Sequence, residues 1–256
     1  MIISDHHRFA FVHIPKCAGV SVKHPLRAID TTAGYFDRIG EHDAMGRIHF
    51  AHITLRDLAE HFPGEAAKLR DYRAFAVVRD PNQRFLSALF QRLREFKQLN
   101  QSDITRNRIE QEAADVIRYL ESDPVRLDLE HVHFNRQSDY VFHAGERIVD
   151  DIFPIERMAD VVAYVADQTG ISVEEERQNR STEVRFAAVR PLVRLLRRPY
   201  AALVPYALRN HLRNRLVSAG IYGDVNKGAM LPAGGYVDGF VRSYYKQDFA
   251  LHTASL

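Results

Sequence analysis

Residues 12–21 constrain this chain more than any other stretch. They read Val12-His13-Ile14-Pro15-Lys16-Cys17-Ala18-Gly19-Val20-Ser21. The order is that of a buried strand, a short loop of small residues after Pro-Lys, and the start of a helix. Small residues let backbone amides approach an anion, and the helix N-terminus adds partial positive charge. Lys16 supplies a full charge within the loop. A triphosphatase loop reads G-x-x-x-x-G-K-[ST], with lysine after the glycines and a hydroxyl for Mg²⁺. Here Lys16 precedes Gly19. The loop reads as a phosphate cradle that is not built for ATP with magnesium.

A second stretch extends the argument. Ala74-Phe75-Ala76-Val77-Val78 is a short apolar run of the kind that forms a buried parallel strand. It runs into Arg79-Asp80-Pro81-Asn82-Gln83-Arg84-Phe85-Leu86-Ser87, where Pro81 suits a first helical turn. Arg79 then stands at the strand's C-terminal edge and Ser87 about two turns into the helix. Ligands of open α/β sheets bind at such edges. Two edges, one with Lys16 and one with Arg79, point to a ligand with two separate phosphates.

The two motifs, P-K-x-x-G-x-S and R-D-P-x-x-R-x-x-S, resemble those of the sulfotransferases that use 3′-phosphoadenosine-5′-phosphosulfate (PAPS). The spacing is most similar to the carbohydrate group that includes the heparan and uronosyl 2-O-sulfotransferases. The likeness is strong over 8–21 and 73–98, and weaker at 49–58, 131–160, 178–182 and 244–249. It implies that Pro15, Lys16, Cys17, Ala18, Gly19, Val20 and Ser21 hold the 5′-phosphosulfate, and that Arg79 and Ser87 hold the 3′-phosphate. Gln178–Thr182 resembles a loop that closes over the donor in the family, which makes Arg180 and Ser181 further phosphate contacts. Cys17 and Val20 stand where the family has threonine. The small side chain accounts for Cys17 without a catalytic thiol.

The chemistry expected is in-line sulfuryl transfer from PAPS to a hydroxyl, leaving PAP, with positioning and electrostatics supplying most of the effect. Lys16 is the candidate for neutralising charge on the departing phosphate. His52 is the candidate base: His49-Phe50-Ala51-His52-Ile53-Thr54-Leu55 resembles the family segment that carries a base histidine before an apolar residue and a helix. An imidazole near its ordinary pKa suits proton abstraction at neutral pH. His49 ranks second, since it points to the opposite face if this segment is a strand. His6-His7 and His131-Val132-His133 are suggestive pairs, but no carboxylate or cysteine constellation joins them, and no metal is expected. Arg84 could reach either the phosphate or a helix partner.

The alternation of strands and helices predicts one α/β domain over 1–256, a central parallel sheet flanked by helices. Strands are expected at 8–14, 49–53, 74–78 and 147–155, and helices at 55–61, 81–98, 110–120 and 157–168. Residues 30–48 read as loop, and Pro25 predicts a short or kinked helix after the phosphate loop. One elaboration stands out. Between Glu183 and Asp224 there is no acid, and Arg185, Arg190, Arg194, Arg197, Arg198, Arg209, Arg213 and Arg215 fall in that window. Residues 185–236 are expected to form a helical, basic insert. It reads either as a solvated hairpin or as a surface for anionic lipid or an acidic glycan.

The near balance of 35 basic and 33 acidic residues gives no global reason to expect nucleic acid. A single cysteine forbids an internal disulfide. No apolar run approaches the ~20 residues of a membrane span, and no signal peptide is visible. These features lead to the expectation of a soluble, cytoplasmic protein similar to bacterial family members, peripheral at most to the inner membrane face. The acceptor expected is a carbohydrate or another hydroxyl compound. Two rivals stay open: a phosphoryl transferase on a related loop, and a non-catalytic glycan- or lipid-binding module.

Overall fold

The computed structural model describes residues 1–100, 103–171 and 234–256, together with the backbone of two strands at 182–184 and 222–224. Of the helical insert expected at 185–236, the structure describes only 222–224, a strand where helix was expected, and 234–236; the rest, and the loop carrying Arg180 and Ser181, lie outside the described residues. The chain divides into a unit of residues 1–176 and 228–256 and a second unit of residues 177–227. In the second, Thr182–Val184 and Tyr222–Asp224 pair antiparallel.

The larger unit is built on a four-stranded sheet. Its strands are β1 (Ile2–Ser4), β2 (Phe9–Val12), β5 (Arg73–Val78) and β8 (Asp151–Pro154), in that spatial order. β2, β5 and β8 run parallel, and β1 joins β2 as an antiparallel edge. The expected parallel sheet is the β2, β5, β8 core, to which β1 adds an antiparallel edge. Every residue of β2, and every residue of β5 after Arg73, is buried. Strands covered on both faces read as continuous apolar runs, which is why these two were legible. β1 was missed because two isoleucines and a serine are too short to carry a period. Phe9, Phe11 and Phe75 stack across the sheet with centroids 4.9–5.2 Å apart, and Tyr164 closes on Phe75 at 5.4 Å.

Helix α1 (Gly19–Leu26) ends one residue after Pro25 and tightens into a 3₁₀ turn at 27–29, the short helix that proline imposes. Residues expected as loop instead hold a hairpin, β3 (Ile39–His42) with β4 (Gly46–His49). The expected strand at 49–53 is not one. His49 ends β4, and Phe50–His52 is a 3₁₀ turn. Thr54 then caps α2 (Leu55–His61) by accepting from the Asp57 amide. Pro63 opens a new helix, α3 (Pro63–Asp71), at the first-turn position that tolerates it.

After β5, Asp80 caps α4 (Pro81–Glu95) through the Gln83 amide at 2.9 Å. The apolar face of α4 builds a second core against α5 (Arg106–Glu121) and the penultimate helix α7 (Tyr236–Tyr244). The expected strand at 147–155 shrinks to β8, because Glu146–Arg147 (β7) folds back on Phe142–His143 (β6). α6 (Met158–Thr169) stops at Gly170, whose φ of 70° is the left-handed cap predicted there. α8 (Lys246–Ser255) completes this unit.

Candidate functional site

β2 and β5 are neighbours in register, with Val12 opposite Ala76. Their C-terminal ends therefore deliver the Lys16 loop and Arg79 side by side. The loop holds two side-chain-bearing residues in the left-handed region, Lys16 at φ 69° and Ala18 at φ 58°. Such backbone costs roughly 1–2 kcal/mol per residue and persists only where surrounding contacts fix it. Cys17 provides one fixed point. It is 1% exposed, and its thiol donates to Gln137 Oε1 at 3.3 Å. Burial pushes that thiol up to about 12, so it stays protonated. The side chain packs and donates; it is no nucleophile.

Gly19 has a different reason from the one its loop position suggests. A Cβ there would fall 1.9 Å from His13 Cδ2 and 2.0 Å from Nε2. The missing side chain makes room for the His13 ring against the start of α1. That helix start carries no capping side chain and no acid in its first turn. Its dipole is left for an anion. Val20 is 46% exposed here, and Ser21 is half-buried on the first turn.

Arg79 reaches the loop directly. Its Nη1 donates to the Lys16 carbonyl at 3.4 Å and its Nη2 to Gln83 Oε1 at 3.2 Å, while its Nε is buried with no partner. Lys16 Nζ donates to Gln91 Oε1. Gln83, Ser87 and Gln91 are spaced by one turn each on α4, so they share a face. Ser87 thus lies between the partner of Arg79 and the partner of Lys16. Arg84 takes the other of its two expected roles. It is 1% exposed, and its guanidinium serves the carbonyls of His133 at 3.0 Å and Asn135 at 2.7 Å. It is a structural cation.

Four imidazoles gather beneath the loop. Ring centroids of His13 and His52 are 4.6 Å apart, those of His49 and His52 4.3 Å, and those of His52 and His133 5.2 Å. His49, the last residue of β4, and His52, in the 3₁₀ turn that follows, come to lie on one side. The strand reading had put them on opposite faces. His52 Nδ1 lies 3.3 Å from the His13 carbonyl. A carbonyl only accepts, so Nδ1 carries the proton and Nε2 is the basic nitrogen. Burial drives the His13 and His52 pKa values well below the ordinary one. It lowers His49 to about 4, helped by Lys23, and His133 to about 3, helped by Lys16. His52 is therefore neutral, the form a base requires, but a weaker base than an exposed imidazole.

Beside His49 and His52 is a partly open cavity of about 30 Å³, bordered by Asp57, Arg126 and Asn135. Arg126 grips Asp57 with two bonds of 3.1 Å. His131, paired with His133 in the sequence reading, stands apart from this cluster: it stacks on Tyr119 at 3.7 Å and bonds Asp128. Among the described residues no group of three or more His, Cys, Asp or Glu is arranged to hold a metal ion. None of their helices is long and apolar enough to cross a membrane. Sequence reasoning missed Gln83, Gln91 and Gln137, and weighed His133 only as one of a pair for metal. The first two share the Ser87 helix face and could have been found by period; the others are distant in sequence.

No curated protein and no solved structure matches the chain significantly. A family model, described as the sulfotransferase family, matches residues 1–215. That span takes in the phosphate loop, Arg79, α4 and all four histidines. The chain belongs to the sulfotransferase family.

Proposed function

We propose that the chain transfers a sulfuryl group from PAPS to a hydroxyl of a carbohydrate-type acceptor. The observation that carries the reading is the pair of anion-binding elements on adjacent parallel strands, with a neutral histidine beside them whose Nε2 is left basic by the His13 carbonyl. The residues fit a bisphosphorylated nucleotide. Arg79 has a buried, unpartnered Nε, and the uncapped start of α1 adjoins a loop that carries Lys16. When bound, PAPS supplies a sulfuryl group on a phosphate leaving group.

The chain's own residues do the rest. Arg79 and Ser87 hold the 3′-phosphate, and the loop from Pro15 to Ser21 holds the 5′ side. Lys16 meets the negative charge that grows on the departing phosphate. His52 Nε2 takes the proton of the acceptor hydroxyl. Arg180 and Ser181 are proposed as further donor contacts, and the basic segment 185–215 as a surface for an anionic glycan or membrane. A cytoplasmic location belongs to the same reading.

Turnover of sulfur-labelled PAPS over a panel of sugars and glycolipid headgroups tests this. Label should pass to at least one polyhydroxylated acceptor without added divalent metal. His52→Ala should cost roughly 10²–10⁴-fold in rate with PAP affinity unchanged, whereas Lys16→Ala should lower both. Label transfer by His52→Ala at the wild-type rate would remove it as the base. Thermal stabilisation by ATP with Mg²⁺ but not by PAP would favour a phosphoryl transferase, and by neither a non-catalytic module.

A further inference from the structure

The β5 ladder with β8 ends at Val78 opposite Pro154, and proline has no N–H to continue it. Arg79, the next residue, keeps both of its backbone groups paired nonetheless. Its N–H donates to Gln137 Oε1 at 2.9 Å, and its carbonyl accepts from Gln137 Nε2 at 2.8 Å. One side-chain amide thus replaces the missing strand, and the two bonds fix which end is oxygen. The same Oε1 also accepts from the Cys17 thiol at 3.3 Å. Gln137 is fully buried, and it is held in turn from the C-terminal helix. Asp248, also fully buried, accepts from the backbone N–H of Gln137 at 2.7 Å and of Ser138 at 2.9 Å.

We infer that Gln137 is a positioning residue that fixes the spacing between the phosphate loop and Arg79, so that a nucleotide bearing two phosphates meets both sites already set at its own span. The inference rests on the proposed donor reading. It goes beyond it in assigning the preorganisation to one amide outside both motifs. Two anion sites joined rigidly bind a two-headed ligand more tightly than either head alone, because the second contact is intramolecular. Loosening the joint reduces that advantage while leaving each site able to take its own phosphate.

The test compares three probes by equilibrium dialysis: adenosine 3′,5′-bisphosphate (PAP), adenosine 5′-monophosphate and adenosine 3′-monophosphate. Wild type should bind PAP far more tightly than either monophosphate. Gln137→Ala should weaken PAP by about tenfold or more while changing each monophosphate by less than about twofold. Cys17→Ala removes the loop-side bond to Gln137, along with a 3.6 Å contact to the Pro15 carbonyl within the loop, and should show the same split at smaller size, and Cys17→Ser, which keeps a donor, should restore it. The Cys17 pair keeps the test alive should Gln137→Ala fail to fold. A parallel loss across all three probes would mean general damage and overturn the inference. Unchanged PAP affinity in both Gln137→Ala and Cys17→Ala would overturn it too. Failure of the wild type to bind PAP at all would overturn the donor reading and this inference together, whereas failure of the split alone leaves the donor reading standing.

Discussion

Acid should unfold this protein through its histidine cluster before its carboxylates respond. In the folded chain His49 titrates near 4 and His133 near 3, both because burial disfavours the charged ring. In the unfolded chain each titrates near the ordinary 6.5. Below that value the unfolded state binds more protons than the folded one, so stability falls as pH falls. Each histidine held neutral costs about 1.4 kcal/mol per pH unit across that window. Two units of acidification acting on His49 and His133 therefore remove about 5 kcal/mol, comparable with the whole stability of an ordinary domain. His13 and His52, lowered further, act in the same direction. His49, His52 and His133 have ring centroids 4.3–6.5 Å from one another, and His13 lies 4.6 Å from His52, so a first proton makes the next harder to accept. Urea unfolding followed by far-UV circular dichroism suits a chain without tryptophan. Its free energy should fall steeply from about pH 6.5 to about 4.5, and His49→Gln and His133→Gln should each flatten the slope by about 1.4 kcal/mol per unit. A wild-type stability that stays level over this range, or variants that keep the full slope, would refute the assignment of buried neutral rings.

Three other outcomes follow from particular contacts. Gly19→Ala drives a methyl into the His13 ring and should cost about 1–3 kcal/mol, read as a lower melting temperature together with weaker PAP binding. Arg84→Met leaves two carbonyls and the Asp248 carboxylate, 3.8 Å from the guanidinium, without their cation; it should cost about 3–5 kcal/mol by urea unfolding, whereas Arg79→Ala should barely move the midpoint. Cys17, buried and protonated, should resist a thiol-specific reagent at mildly alkaline pH until urea opens the fold, with unhindered labelling of the native protein as the contrary result.

The parts of the site that are local in sequence were legible before the structure. The strand–loop–helix around Lys16 and the strand–Arg–Pro–helix around Arg79 each announce themselves within about ten residues, since burial on both faces and proline at a helix start are local signals. Adjacency of the two strand ends is a fact of the sheet pairing, which the α/β pattern does not specify. What was not legible depends on distance or on short irregular backbone. The relation of His49 to His52 turns on whether three residues form a strand or a 3₁₀ turn, and apolar period cannot decide that. Gln137 is 58 positions from the arginine it supports. Nothing in Asn135-Arg136-Gln137-Ser138 says that its amide will finish the edge of β5. Arg79 and Arg84 differ only by five positions in one motif, yet one reaches the Lys16 carbonyl and the other is sealed in the core. The helix period separates them only once the core side of α4 is known.

The central claim is that the ends of β2 and β5 form one site for a nucleotide carrying two separated phosphates. Isothermal titration with PAP, at fixed salt and without divalent metal, tests it most directly when run on wild type and Arg79→Ala. The account predicts a single site on the wild type, no comparable heat with ATP and Mg²⁺, and an affinity weaker by about 1.5–3 kcal/mol in Arg79→Ala, as expected for loss of a charge-assisted contact. PAP binding of equal strength to both proteins, or preference for ATP with Mg²⁺, would contradict it.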